Sequence, residues 1–207
     1  MAVFKILEVP LIKQDFAMSC WKAATEMVQE TFKKNELLIN WKCEDNNLIE
    51  LKLKKLGLSN EEFLDFQSKN NLKPLSSSEP TTMRSVRTRK VEGESVPGIS
   101  FNYIILLLHK YGPLWVVIEN GDHVAVLVGV QNNMGAIALD SEEVLYHDPR
   151  YGTERRMGIT KFNAEVKWDV KGVIAAYNNM GLTAANAGLK FKEDGLSPLK
   201  AGKLPED

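Results

Sequence analysis

Residues 114–130 have the sequence LWVVIENGDHVAVLVGV, in which two apolar, β-branched runs flank a polar centre. Asn120-Gly121 at that centre is a strong hairpin signal, because both residues readily adopt the positive φ angles of tight turns. We therefore predict an outgoing strand over 114–118 and a returning strand over 123–130. The hairpin indicates an antiparallel sheet in the second half of the chain and places His123 at the start of the returning strand.

The first third of the chain has helical rather than alternating patterning. A helix that is apolar over much of its surface begins near Ser19, and a second, leucine- and lysine-rich amphipathic stretch covers 48–58. Ser59 followed three residues later by Glu62 has the form of a capping box, which opens a further helix. Residues 1–75 are therefore predicted to form a helical lobe.

A polar segment over 76–98 separates this lobe from the hairpin region. It contains three consecutive serines, two prolines and a basic cluster between Arg84 and Lys90. A loop of this length inside a compact domain is often functional or mobile. The basic cluster is typical of a solvated loop, although beside a cleft it would also suit an acidic substrate surface or a site of proteolytic nicking.

The part of the chain after the polar segment is predicted to form a β lobe over 99–178. A short helix is expected over 99–111, ahead of the hairpin. Further strands are expected at 136–139, 144–147 and 172–177. The fold class is therefore α+β, with an N-terminal helical lobe packed against a C-terminal antiparallel sheet and a cleft between them. Residues 179–207 are rich in Gly, Ala and Lys without periodicity, which predicts a flexible tail.

The composition limits the classes of partner. An apolar content of 44% and a charged content of 26% are ordinary for a globular protein. The net charge of −1 supplies no basic field, so we expect neither nucleic acid nor a membrane as a partner. The longest apolar run, over 103–108, is too short to span a bilayer, and the first residues lack the pattern of a signal peptide.

The chain contains two cysteines, Cys20 and Cys43, which excludes a disulfide scaffold and favours a reducing compartment. Cys43 has no CxxC partner and no histidine-rich neighbourhood, so we expect a structural thiol there and no metal site.

Cys20 is a candidate nucleophile because it begins the first predicted helix. A thiol attacks as a thiolate, and the free N–H groups and dipole at a helix N-terminus stabilise that anion. A lone cysteine at such a position is nevertheless more often an inert core residue. Gln14, six residues earlier, favours the interpretation of Cys20 as a nucleophile over that of an inert core residue. Its amide and the Cys20 N–H would together bind an oxyanion, and one such donor is worth roughly a hundred- to a thousand-fold in rate.

His123 is a candidate general base, since it follows the hairpin turn and its ring can reach a cleft. His147 competes for this role, because it neighbours Asp148 at a predicted strand end. Adjacent strand residues point to opposite faces, so His147 and Asp148 cannot both point into the cleft. The pattern by itself leaves open which of the two does so.

The order and spacing of several short motifs resemble the papain-like cysteine proteases, and in particular the compact bacterial branch of that clan. This branch includes effector proteases of plant pathogens and the peptidases that remove double-glycine leaders from bacteriocins. The matching motifs, within residues 9–150, are Gln14, Ser19-Cys20-Trp21, Tyr111-Gly112-Pro113-Leu114-Trp115-Val116, Asp122-His123-Val124-Ala125-Val126 and His147-Asp148-Pro149. Ala17 stands where the papain signature has its first cysteine, so the nearby disulfide of that family is missing.

The resemblance implies a papain-like fold and a cysteine peptidase that needs no metal or organic cofactor. It gives the cleft position to Asp148 rather than to His147. The implied site residues are Cys20 as nucleophile, His123 as base, Asp148 as the group that orients His123, Gln14 as oxyanion donor and Trp21 as a substrate contact.

The resemblance also suggests a biological role, which is that of a bacterial effector or toxin. Such a protein would be cytoplasmic or exported by a dedicated secretion system into a target cell. Its partners would be a protein substrate and an immunity or inhibitor protein that covers the cleft. Papain-like folds also host deamidases, transglutaminases and acyltransferases, and a catalytically silent binding module would keep the same cleft. The sequence does not choose among these functions.

Overall fold

The structure, a computed structural model, describes residues 2–32, 51–59, 62–75, 89–91, 94–96, 98–132, 141–166, 172–178 and 183–196. The α-helices are α1 Cys20–Thr31, α2 Glu62–Lys69, α3 Phe101–Tyr111 and α4 Ile159–Glu165. The strands are β1 Ala2–Ile6, β2 Leu72–Pro74, β3 Arg89–Val91, β4 Glu94–Val96, β5 Leu114–Ile118, β6 His123–Asn132, β7 Glu142–Asp148, β8 Thr153–Gly158, β9 Ile174–Tyr177 and β10 Phe191–Asp194. A π-helical turn covers Lys52–Leu56, and a 3-10 turn covers Glu119–Gly121.

Eight of the strands form one antiparallel sheet around β6. The order β10-β1-β6-β5-β9-β2 links six of them, and β7 pairs with residues 126–132 of β6 and with β8. β6 can pair with β1, β5 and β7 because it is long and carries an irregularity between Leu127 and Gly129. A Cβ atom at Gly129 would lie 2.5 Å from the Phe4 carbonyl oxygen, so only glycine lets β1 approach there.

The core lies between the sheet and the helices. α1 contacts β5, β6 and β9, and α3 contacts β6. α2 is joined to β5 by Phe63 and Trp115, whose rings meet edge to face at a centroid distance of 5.7 Å. Both of these side chains are almost completely buried. Burying a large apolar side chain contributes roughly 1.5–3 kcal/mol, which makes this layer the main source of stability.

The local predictions are confirmed where the structure describes them. Leu114–Ile118 and the strand that begins at His123 pair as the two arms of the hairpin. Asn120 and Gly121 have φ angles of 55° and 109°, as the turn signal requires. The Ser59 N–H donates to Glu62 Oε2 at 2.8 Å, which is one half of the predicted capping box. The expected α+β fold with an antiparallel sheet is therefore correct.

The predicted boundaries need two corrections. The helical lobe is not purely helical, because β1 and β2 belong to the large sheet. The tail is not flexible over 183–196, because β10 pairs with β1 and Ala184 is fully buried. Neither segment has the periodicity of an amphipathic element, and the neighbouring strand or core supplies the contacts that order it.

Some predictions lie outside the described residues. These are the strand over 136–139, the first part of the stretch over 48–58, the residues beyond 196, and Cys43. The polar segment is described only in part. Within it, β3 and β4 form a separate two-stranded ribbon. Among the described residues, no helix has both the length and the apolar character needed to cross a membrane.

Candidate active site

The chain before Cys20 forms a tight turn that is held by Ser19. The Ser19 hydroxyl donates to the Phe16 carbonyl at 2.9 Å and accepts from the Phe16 N–H at 3.0 Å. Because this hydroxyl bonds with the Phe16 backbone, it does not cap α1. The N–H groups of the first turn of a helix have no carbonyl partner within the helix, and they carry its positive dipole end. Cys20 is the first residue of α1, so its thiol lies where an anion is stabilised.

His123 lies between Cys20 and Asp148. Its Nε2 donates to Asp148 Oδ1 at 2.8 Å, and Cys20 lies close enough to its ring to raise the pKa of the imidazole. Because Nε2 is bound to the carboxylate, Nδ1 is the nitrogen that serves the thiol. His123 is 1% exposed and Cys20 is 6% exposed, so the three groups meet in a site that is largely shielded from water.

Asp148 ends β7 and is surrounded by hydrogen-bond donors. The Arg150 N–H donates to Oδ1 at 2.9 Å, and Arg155 Nη1 donates to Oδ2 at 3.2 Å. Burial by itself would raise the pKa of Asp148, but the bonds from His123, Arg150 and Arg155 and the charge of His123 outweigh it and lower the pKa. Asp148 is therefore held as a carboxylate.

The pKa of His123 reflects these neighbours. Burial disfavours the charged imidazolium and would lower the pKa. The hydrogen bonds and charges of Asp148 and Cys20 outweigh burial, and they raise the pKa of His123 from 6.5 to about 9. The structure therefore favours a charged imidazolium beside the Asp148 carboxylate.

His147 lies on the opposite side of β7, as strand alternation requires. Its Nδ1–H donates to the Pro10 carbonyl at 3.0 Å, and burial lowers its pKa. The Gln14 N–H donates to the Pro149 carbonyl at 2.8 Å on the same stretch. His147 thus holds the N-terminal segment against the sheet, while Asp148 bonds with His123.

Gln14 lies in the segment that leads to α1, and its side-chain amide bonds with neighbouring backbone carbonyls. Nε2 donates to the carbonyls of Phe16 and Ala17 at 2.7 and 2.8 Å. Oε1 is buried without a hydrogen-bond partner among the described residues. Both amide hydrogens therefore support the turn before Cys20 in this structure, and the role of Gln14 as an oxyanion donor stays a prediction.

Trp21 is mainly a core residue. It is 2% exposed, and its ring meets that of Phe66 edge to face at a centroid distance of 5.0 Å. It also lines one wall of a small pocket, of about 70 Å³, beside Cys20 and His123. The other residues that line the pocket are Met18, Leu56, Gly57, Leu58, Phe63, Gly121, Asp122 and Val124. A direct contact between Trp21 and substrate stays a prediction.

Several residues at the site were not predicted from the sequence. Arg150 and Arg155 contact Asp148, and Glu119 binds the Arg150 guanidinium through two hydrogen bonds of 3.0 and 3.2 Å. Leu56 and Leu58 line the pocket beside Cys20 and His123. The arginines follow Asp148 in the irregular run RYGTERR, which has no pattern that points to the site. Among the described residues, no group of three or more His, Cys, Asp or Glu is placed to hold a metal ion.

A cysteine at the start of a helix that packs on an antiparallel sheet, with a histidine on the facing strand, defines a papain-like α+β hydrolase fold. A family model described as the papain-like cysteine protease AvrRpt2 matches residues 3–167, and the chain belongs to that family. The protein is therefore a papain-like cysteine peptidase, whose substrate is a protein. No curated protein matches the chain.

Proposed function

We propose that this protein cleaves peptide bonds in a protein substrate through a Cys20–His123–Asp148 triad. The observation that carries the proposal is the position of His123, which bonds with Asp148 and lies close enough to Cys20 to interact with its thiol. A buried imidazolium stabilises a neighbouring thiolate, and the thiolate is the attacking species.

The chemistry proceeds in two halves. In the first, the Cys20 sulfur forms a bond to the substrate carbonyl carbon, and the carbonyl oxygen becomes an oxyanion. His123 then gives its proton to the leaving amine as the C–N bond breaks, which leaves a thioester. In the second half, His123 takes a proton from water and the hydroxide attacks the thioester carbonyl carbon. The C–S bond then breaks, which releases the carboxylic acid product and regenerates the Cys20 thiolate beside the His123 imidazolium.

The Cys20 N–H and Gln14 would hold the oxyanion in both halves. The Cys20 N–H belongs to the first turn of α1, where the leading N–H groups of a helix have no carbonyl partner within it. Gln14 would take part by exchanging one of its bonds with the Phe16 and Ala17 carbonyls for the oxyanion. The Gln14 amide would approach the oxyanion from the turn that immediately precedes the nucleophile.

We further propose that the peptidase is a bacterial effector or toxin that acts inside another cell. The family match and the resemblance to effector proteases of plant pathogens support this role. A dedicated secretion system would deliver the protein, and an immunity or inhibitor protein would protect the producing cell by covering the cleft. Toxicity of the intact gene, absent with Cys20→Ala, would be the expected result; equal toxicity of both genes would contradict it.

The decisive experiment is mass spectrometry of a target-cell proteome exposed to the wild type or to Cys20→Ala. We expect new protein N-termini with the wild type only, and they would identify the substrate. Cys43→Ser is the matched control for loss of a thiol and is expected to retain cleavage. Release of ammonia from glutamine without new N-termini would instead indicate a deamidase or transglutaminase. Substrate capture without any chemistry would indicate a silent binding module.

A further inference from the structure

Asp148 has two carboxylate oxygens, and each has its own donors. Oδ1 accepts from His123 Nε2 and from the Arg150 N–H, whereas Oδ2 accepts from Arg155 Nη1 at 3.2 Å. The Asp148 side chain is 2% exposed. A carboxylate that is shielded to this degree keeps its charge only when protein donors replace the lost water. Arg155 supplies the donor on the side that faces away from His123.

Arg155 is itself held in place. It lies on β8 opposite Tyr146 of β7, and its guanidinium lies over the ring of Tyr151 with a distance of 4.8 Å to the centroid. Its side chain is 46% exposed, so it contributes little to the core. The guanidinium is planar and can bond a carboxylate while stacking on a ring. The position of Arg155 therefore serves its bond with Asp148 rather than packing in the core.

We propose that Arg155 is a positioning residue for the peptidase reaction, which fixes the Asp148 carboxylate so that it holds the His123 ring against Cys20. This inference rests on the proposed function of the triad. With the Arg150 N–H on Oδ1 and Arg155 on Oδ2, the carboxylate cannot rotate about its Cβ–Cγ bond without losing a hydrogen bond. A fixed carboxylate keeps the imidazole in the orientation that serves the thiol.

We expect the positive charge of Arg155 to affect the Cys20 thiolate and the His123 imidazolium less than its hydrogen bond to Asp148 does. The thiolate and the imidazolium form a pair without net charge, so a nearby cation stabilises one partner and destabilises the other. The two effects largely cancel. Loss of Arg155 should therefore act through the orientation of Asp148, and it should make the ion pair form at higher pH.

Other ionisable groups surround the triad and Arg155, and the test must leave them unchanged. Burial raises the pKa of Tyr146, which is within electrostatic reach of both Asp148 and Arg155. Among the described residues, Glu119, Asp122, Arg150 and Tyr151 also lie near the triad or Arg155. Substitution of Arg155 alone leaves all of them in place.

The test measures the rate at which iodoacetamide alkylates Cys20 as a function of pH, in full-length protein that carries Cys43→Ser. For Arg155→Met we expect the acid limb of the profile to move up by about half to one pH unit, which is roughly a three- to ten-fold slower reaction on that limb. Arg155→Lys, which keeps a cation and a donor, should lie between Arg155→Met and the wild type. Arg156→Met is the matched control, because among the described residues Arg156 forms an ion pair with Glu143 alone, at 4.0 Å, and it should leave the profile unchanged.

A double-mutant cycle shows whether Arg155 acts through Asp148. In an Asp148→Asn background, Arg155→Met should cause no further shift of the acid limb. A wild-type profile for Arg155→Met, or an equal shift in both backgrounds, would overturn the inference while leaving the triad intact. If Cys20 of the wild type reacted only in the alkaline range of a free thiol, the proposed function and this inference would both fail.

Discussion

His123 Nε2 lies 2.8 Å from Asp148 Oδ1, and both residues are almost completely buried although both can carry charge. The two residues come from neighbouring antiparallel strands, His123 from the start of β6 and Asp148 from the end of β7. Their contact leaves Nδ1 of the ring for the Cys20 thiol. The pairing of these two strands therefore sets the distances on which the proposed chemistry depends.

Cys20 is expected to react with iodoacetamide at pH 7 at least about a hundred-fold faster than Cys43, because the helix start and His123 both stabilise its thiolate. Peptide mapping after short exposure measures the two rates in one sample. In His123→Ala this advantage should largely disappear. Equal labelling of both thiols in the folded wild type would argue against a Cys20–His123 pair.

Two substitutions of Asp148 should separate the effect of its negative charge on activity from the effect of its size and hydrogen bonding. Asp148→Ala leaves the His123 ring without its partner and is expected to lower kcat/KM by about a hundred-fold or more, the scale on which general acid–base catalysis operates. Asp148→Asn keeps a hydrogen-bond acceptor of the same size and should retain more activity than Asp148→Ala. Activity is measured on the substrate found by proteomics. Equal activity of Asp148→Ala and the wild type would exclude a role in catalysis.

The raised pKa of His123 predicts how stability depends on pH. A group whose pKa rises from 6.5 to about 9 on folding stabilises the protein fully below pH 6.5, and that contribution is lost as the pH rises through about 9. The contribution is at most about 3 kcal/mol. Urea unfolding at pH 6 and pH 10 measures it. The free-energy difference between the wild type and His123→Gln should shrink at the higher pH, and a constant difference would contradict the pKa shift.

His147 should matter for folding rather than for chemistry. His147→Ala leaves the half-buried Pro10 carbonyl without its donor, which is expected to cost about 1–3 kcal/mol of unfolding free energy. The kcat of the folded variant should stay within about ten-fold of the wild type, a smaller loss than general acid–base catalysis supplies. Urea unfolding and steady-state kinetics on the same preparation test both parts. A stable but inactive His147→Ala protein would favour His147 as the catalytic histidine.

Gln14 should affect both stability and rate. Gln14→Ala removes two bonds to the turn before Cys20, which is expected to cost about 1–2 kcal/mol. If the amide also binds the oxyanion, kcat should fall by about a hundred-fold. Gln14→Glu keeps the length of the side chain but also removes the amide donors, so it should lose rate as well. A loss of stability without a loss of kcat would restrict Gln14 to a structural role.

The elements that could be predicted depend on short-range interactions. The hairpin around Asn120, the capping bond between Ser59 and Glu62 and the helix that starts at Cys20 each follow from residues within a few positions of one another. β8 and β10 could not be predicted in this way. Their residues are mostly exposed and do not alternate between apolar and polar, so pairing with β7 and β1 defines them.

The sequence by itself determined the fold class, the place of Cys20 at a helix start and the opposite orientations of His147 and Asp148. All three follow from helix and strand periodicity, which is local. The motif resemblance gave the cleft position to Asp148 rather than to His147. Only the tertiary structure decided the 2.8 Å contact between Asp148 and His123 and the contact of Arg155 with the other carboxylate oxygen. These contacts depend on the register of β6, β7 and β8, which long-range packing sets and no short stretch of sequence encodes.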